Sequence, residues 1–197
     1  MAGYDIIVIG ASAGGVNALR QIAEDLPADL PAAVFMVLHV PPRGRSYLPQ
    51  IIMRSGPLEA SHPTDGMLIE QQHIYIAPPD YHMELELGLI RVVQGRKEHR
   101  NRPAIDPLFR SAAQVYGTRT IGVVLTGALT DGTLGLAAIH QQGGVTIVQD
   151  PKEALYPSMP MSAQALVPVD YVCSLKEIGP LLEKLVRPQR FIPHYTT

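Results

Sequence analysis

Short, unbroken apolar runs alternate along this chain with longer stretches in which apolar residues recur at helical spacing. Tyr4-Asp5-Ile6-Ile7-Val8-Ile9 is nearly all apolar and β-branched, the pattern of a strand covered on both faces in a parallel sheet. A Gly-rich turn over 10–15 follows. Val16, Leu19, Ile22, Ala23 and Leu26 then predict a helix that Pro27 stops. Ala32 to Leu38 predicts a second buried strand, ending at His39-Val40-Pro41-Pro42, where two prolines prevent further pairing. A short helix is expected over Ser46 to Arg54, and a strand over His73 to Ala77. Met83 to Leu87 and Leu89 to Val93 alternate around Gly88 and predict an antiparallel hairpin at a sheet edge. Asp106 opens a helix with Pro107 in its first turn and Leu108, Phe109, Ala112, Ala113 and Tyr116 behind it. Thr120 to Thr126 and Val145 to Val148 read as strands on either side of a helix at Leu134 to Ile139. Leu175 to Val186 reads as a closing helix despite Pro180, and the tail from Pro188 to Thr197 as peripheral. Strands alternating with helices predict an α/β sheet of mostly parallel strands.

Composition narrows the function. Among 197 residues, 46% are hydrophobic and 17% charged, enough to fill a core and too little charge for a disordered chain. Gly and Pro are scattered as punctuation, so a single domain over 1–197 is expected. Sixteen Lys+Arg against 18 Asp+Glu give a formal net charge of −2, which implies no general pull toward nucleic acid or an anionic membrane. The single cysteine, Cys173, excludes an intrachain disulfide and a multi-cysteine zinc site. The N-terminus lacks a basic n-region and its apolar run is broken by Gly10, so no signal peptide is expected. No apolar run is long enough to span a membrane. The expectation is a soluble protein of a reducing, cytoplasmic compartment.

In an open α/β sheet, ligands bind beyond the carboxyl ends of the strands. Three polar residues follow directly on predicted buried strands: Ser12 after the first, His39 after the second, and Asp131 just past the strand ending at Thr126. Ser12 sits in Gly10-Ala11-Ser12-Ala13-Gly14, which fits G-x-S-x-G. Small neighbours let a serine stand on a sharp strand-to-helix turn, and the helix behind it aims amides at the same spot. His39 supplies the base that a serine hydroxyl needs, and a carboxylate at Asp131 would fix the tautomer of its ring. Plainer roles stand beside these. Ser12 fits a helix N-cap, His39 a structural histidine at a strand end, and Asp131 a cap or first-turn acid.

Two other chemistries find less support in the sequence. Metal binding lacks support: no H-E-x-x-H occurs, and His62, His73, His82, His99, His140 and His194 are scattered. A nucleotide site is suggested by Gly10 to Gly15 as a degenerate G-x-G-x-x-G. The acidic residue expected after the second strand is absent, and no Lys follows the glycines as in a P-loop.

Gly10-Ala11-Ser12-Ala13-Gly14-Gly15, Leu38-His39-Val40-Pro41-Pro42, Ile76 through Leu85, and Leu125-Thr126-Gly127 through Asp131-Gly132 occur in that order. Together they resemble the catalytic domain of CheB-type protein-glutamate methylesterases, from about Asp5 to about Val186. The resemblance implies a doubly wound α/β sheet and a triad of Ser12, His39 and Asp131. It also implies hydrolysis of glutamate methyl esters on the cytoplasmic helices of chemoreceptors, deamidation of receptor glutamines, and no cofactor. Three positions depart from the family pattern. Ala13 replaces a Thr or Ser, Ala128 replaces a Met, and Met161 replaces an Arg. These alter the surroundings of the triad, so an esterase with another substrate and a degenerate binding module are the alternatives. Arg100-Asn101-Arg102-Pro103 matches an Asn-Arg-rich family stretch and is either a grip for acidic receptor helices or a solvated loop. His82 either lines the cleft or caps the hairpin. The catalytic block begins near the first residue, so the receiver domain of the response-regulator members is not expected ahead of it. A separate receiver protein is then one candidate partner, and the sequence leaves the mode of regulation open.

Overall fold

A computed structural model describes residues 3–187; the predicted peripheral tail from Pro188 lies outside them. Its main sheet has seven parallel strands: β1 (Ile6–Ala11), β2 (Ala33–Leu38), β3 (Glu59–Ser61), β5 (His73–Ile76), β8 (Thr120–Val124), β9 (Val145–Gln149) and β10 (Tyr171–Cys173). Their order is β10-β9-β8-β1-β2-β5-β3. The chain winds outward from β1 through β2, then returns to place β8 on the other side of β1. The strand order thus reverses at the β1–β8 pair, where the ends of adjacent strands diverge and leave a crevice.

Every residue of β1, β2, β8 and β9 is buried, as expected where helices cover both faces of a parallel sheet. Odd positions of β1 (Ile7, Ile9, Ala11) face one core. That core is covered by α1 (Gly15–Asp25), α2 (Leu48–Met53) and α6 (Leu175–Val186). Ile6 and Val8 face the other, under α3 (Ile105–Tyr116), α4 (Thr133–Gln141) and α5 (Ser158–Leu166). Helix α6 continues through Pro180, and its start is capped by a capping box of Ser174 and Glu177. Among the described residues no helix is long and apolar enough to cross a membrane.

The predicted antiparallel hairpin exists as β6 (His82–Glu86) and β7 (Leu89–Val93), but it does not extend an edge of the main sheet. It joins β4 (Met67–Leu68) in a separate three-stranded sheet. Its inward residues Met83, Leu85 and Ile90 complete the core beneath α3. The hairpin therefore buries its apolar face against a helix, and its backbone never meets the edge of the parallel sheet.

Candidate active site

The three residues singled out at strand ends come together at the crevice. Ser12 follows β1 on a turn held at both ends: its N–H donates to Thr126 O at 3.0 Å, and its carbonyl accepts the Gly15 N–H at 2.9 Å. The turn passes through Gly14 at φ 77°, a left-handed conformation open to glycine at little cost. His39 follows β2, and its N–H donates to Ala11 O at 3.2 Å, fixing the end of β2 to the end of β1. Asp131 lies on the loop between β8 and α4. Gly127, earlier on that loop, packs so closely on Ser12 that a side chain there would collide with the Ser12 Cβ.

His39 Nδ1 lies 2.9 Å from Ser12 Oγ, and His39 Nε2 lies 2.6 Å from Asp131 Oδ2. An ionised carboxylate only accepts, so Nε2 carries the ring proton and Nδ1 is left to accept the Ser12 O–H. The ring is thus used with Nδ1 toward the hydroxyl and Nε2 toward the acid. Its side chain is 10% exposed and that of Asp131 1%, so the pair is shielded from bulk water.

The sequence allowed Asp131 a capping role as well, and the structure gives it one on an unexpected helix. Asp131 Oδ2 accepts the Ile105 N–H at 2.8 Å, and Oδ1 accepts the Asp106 N–H at 3.0 Å and the Gly132 N–H at 2.9 Å. Ile105 and Asp106 are the first residues of α3, so Asp131 caps a helix remote in sequence and sits at its positive dipole end. Burial pushes the Asp131 carboxyl up. The His39 hydrogen bond, the Ile105 and Asp106 amides and the charge on His39 pull the other way and prevail, so it lies below its ordinary value.

Capping is reciprocal. Asp106, fully buried, accepts the Gly135 N–H of the first turn of α4 at 2.7 Å through Oδ1. Its Oδ2 lies 2.8 Å from His99 Nε2. Helices α3 and α4 touch here because Gly135 has no side chain; a Cβ would collide with Phe109. Sequence reading placed Asp106 only as a helix start and His99 among scattered histidines. No local signal reveals the pair, because it depends on which two helices meet.

His99, Asp106 and Asp131 bring three potential metal ligands within 4.8 Å of one another. Both oxygens of each aspartate, however, already accept hydrogen bonds, from four donors at Asp131 and from Gly135 and His99 at Asp106. The cluster as built holds protons and helix ends.

Burial, with the charge of Asp131 adding to it, raises the Asp106 carboxyl above its ordinary 3.8 despite the Gly135 amide and His99. A raised folded-state pKa contributes stability that is fully present below the unfolded value and is lost as pH rises through the folded one. In Asp106→Asn the acceptor for Gly135 can persist but the titration is gone. Wild type should therefore gain stability relative to Asp106→Asn as pH falls from about 7 to about 4. Paired thermal melts measure this, and a constant difference across that range would refute it.

Beside His39 a pocket of about 280 Å³ opens between Pro41-Pro42 and a loop bearing Lys97, Arg100 and Arg102. Arg102 is paired with Asp80 at 2.7 Å. His82 neither lines this pocket nor caps the hairpin. It is buried, donates from Nε2 to Arg96 O at 2.8 Å and accepts the Ala104 N–H on Nδ1 at 3.2 Å, clamping both ends of the basic loop. The three departures fall at different distances along the chain from the site residues. Ala13 adjoins Ser12, exposed Ala128 lies on the loop to Asp131, and Met161 is exposed on α5.

Comparison with known proteins agrees with this architecture. A family model described as CheB methylesterase matches residues 7–182. A relative from Leptospira interrogans is 37% identical over 183 residues, covering 92% of this chain and 95% of its own length. A protein-glutamate methylesterase/protein-glutamine glutaminase of Pyrococcus horikoshii is 37% identical over 91% of this chain, which spans 50% of that longer protein. The crystal structure of the Thermotoga maritima CheB methylesterase catalytic domain superposes with a TM-score of 0.89 at 33% identity, covering 93% of this chain and 99% of that one. With the family model spanning nearly the whole described chain, and relatives this similar in sequence and in fold, the chain belongs to the CheB methylesterase family.

Proposed function

We propose that the chain is one catalytic domain that hydrolyses γ-methyl esters of glutamate side chains on chemoreceptors, with Ser12 as nucleophile, His39 as base and Asp131 as the acid that holds it. The observation that carries the reading is the hydrogen-bonded line from Ser12 Oγ through the His39 ring to Asp131, 2.9 Å and 2.6 Å long, at the crevice where the strand order reverses.

The chemistry follows from that line. His39 Nδ1 takes the Ser12 proton as Oγ forms a bond to the ester carbonyl carbon. The carbonyl π electrons move to oxygen, and the charge develops beside the positive end of α1. Among the described residues, the amides of Ala13 and Gly14 at this turn make no hydrogen bond to protein and are free to donate to it. As the tetrahedral intermediate collapses, the bond to the methoxy oxygen breaks and His39 returns its proton to that oxygen, releasing methanol. Water then attacks the acyl-enzyme, giving its proton to Nδ1. The C–Oγ bond breaks as Nδ1 returns its proton to Ser12 Oγ, and the carboxylic acid product loses its remaining proton to solvent as the carboxylate. With a glutamine amide in place of the ester the same path releases ammonia, consistent with the glutaminase activity in the relatives' names. The reading places the enzyme in the cytoplasm, acting on receptor helices.

Methanol release from a glutamate-methylated receptor fragment tests the activity, and labelling by a fluorophosphonate, mapped to the modified residue, tests the nucleophile. The expected result is stoichiometric labelling at Ser12 with loss of methanol release. Labelling elsewhere, or turnover that survives full labelling, would overturn the assignment.

A further inference from the structure

Backbone strain gathers around the Ser12–His39 line. Five non-glycine residues have positive φ: Gln72, Asp80, His99, Arg100 and Leu129. Of these, Arg100 lines the pocket beside His39, His99 bonds Asp106, Asp80 bonds Arg102, and Leu129 lies on the loop that carries Asp131. The side chains of Asp80 and His99 are tied down, Asp80 Oδ1 accepting two N–H groups of Arg102 and His99 Nε2 bonding to Asp106. Those of Arg100 and Leu129 are not. Arg100, at φ 65°, is exposed and forms no ion pair or side-chain hydrogen bond among the described residues. It follows His99 in a tight turn closed by the Glu98–Asn101 bridge, a position that favours Asn or Gly. Leu129, at φ 70°, is 64% exposed. A bulky side chain in this conformation is disfavoured, and neither side chain contributes burial or a partner in return. Strain without a folding benefit at a reaction centre points to use in binding.

The two residues stand on different walls. Leu129 lies two residues after Gly127, which touches Ser12, and two before Asp131, which holds His39. Its N–H is fixed by Ser158 Oγ at 3.1 Å. Ser158 follows exposed Leu155 and Tyr156 in the chain, and Leu155, 71% exposed, packs on Gly14 of the Ser12 turn. This wall is apolar and continuous with the nucleophile. Across His39, Arg100 and Lys97 face the pocket and carry positive charge in a molecule whose formal net charge is −2. A free guanidinium at the mouth of a partly shielded pocket favours a carboxylate, which it can grip with two parallel hydrogen bonds.

We propose that Arg100 and Leu129 are the specificity-determining side chains of this site: Arg100 grips a carboxylate of the substrate protein near the scissile ester, and Leu129 packs on an alkyl side chain at the opposite flank. The inference rests on the esterase reading above and names the surroundings of the ester that it accepts. A helical substrate segment presents side chains three or four residues apart on one face, so the proposal places the two contacts at that spacing from the ester.

Three helical peptides with one glutamate γ-methyl ester provide the test. One carries Glu and Leu three or four residues to either side, one has that Glu replaced by Gln, and one has that Leu replaced by Ser. Methanol release gives kcat/KM for each. Wild type should prefer the Glu/Leu peptide by at least about tenfold over either other, the scale of one good directional contact. Arg100→Gly should lose the Glu-over-Gln preference and keep the Leu-over-Ser preference; Leu129→Gly should do the reverse. Both relax a left-handed residue, so Tm should hold or rise. A merely structural role would lower all three peptides together. Variants that retain both preferences overturn the proposal and leave the esterase reading standing. A wild type that releases no methanol from any peptide or from methylated receptor overturns both.

Discussion

Ser12→Ala is expected to lower the rate of methanol release by about four to six orders of magnitude, the loss seen when a triad nucleophile is removed. The size follows from the role. Without Oγ no acyl-enzyme can form, and the remaining rate reflects only water positioned near the free amides of the turn. At about 1.4 kcal/mol per factor of ten, this corresponds to roughly 5–8 kcal/mol of lost transition-state stabilisation. The fold should hardly notice. Ser12 is half-buried, and its side chain gives up one hydrogen bond, to His39, worth about 1 kcal/mol. The backbone bonds that shape the turn, from Ser12 N–H to Thr126 O and from Gly15 N–H to Ser12 O, involve no side chain. Thermal melts alongside the methanol assay separate the two effects. A variant with more than a tenth of wild-type turnover would remove Ser12 from the chemistry.

How far the site could be read from the sequence depends on what each residue answers to. Ser12, His39 and Asp131 follow strands whose runs are apolar throughout, and a parallel sheet aligns such ends on one rim. Strand order and handedness do the rest, so three positions far apart in number become neighbours without any pairwise signal. The hairpin shows the limit. Alternation over Met83–Val93 marks one buried face but does not say what covers it, and α3 rather than a sheet edge does so. β3, β4 and β10 have three, two and three residues, too short for a period to register. Helix α5 escaped notice because it buries only Met159, Pro160 and Ala163, with Pro160 in its first turn. Leu134, within the predicted helix over Leu134 to Ile139, is exposed. Its place in the pattern is taken by Gly135, where α3 crosses closest.

The crossed caps belong to the same class of hidden feature. Each carboxylate serves a helix that is not its own neighbour in sequence: Asp131 the start of α3, Asp106 the start of α4. The acid that orients His39 is thereby held by helix ends, which also keep it ionised. Its position is a property of the α3–α4 contact as much as of its own loop. A substitution that separates those helices should reach His39 through Asp131.

Asp131→Asn should cost activity about as heavily as any change that leaves the nucleophile intact, on the order of 10⁴-fold in kcat. The cause is the proton count at four donors. If the new NH₂ takes the place of Oδ2, it donates to His39 Nε2 and drives the ring proton to Nδ1, where it faces Ser12 and cannot accept. One amide, that of Ile105, is then left without an acceptor. If the NH₂ takes the place of Oδ1, the ring keeps its tautomer, but the amides of Asp106 and Gly132 are both orphaned. One buried orphan costs about 1–3 kcal/mol and two cost more, so the inactive orientation prevails. The same loss should appear as a lower Tm, by roughly 2–4 °C per kcal/mol at this chain length. The pH dependence gives a second readout. The Asp131 carboxyl is lowered in the fold, so its contribution to stability is present above its unfolded value and is lost as pH falls through the folded one. Asp131→Asn lacks that term, and its stability deficit relative to wild type should shrink in acid. Near-wild-type methanol release from this variant, or a Tm deficit that does not shrink as the pH is lowered, would mean that Asp131 neither sets the His39 tautomer nor holds the start of α3 as an anion.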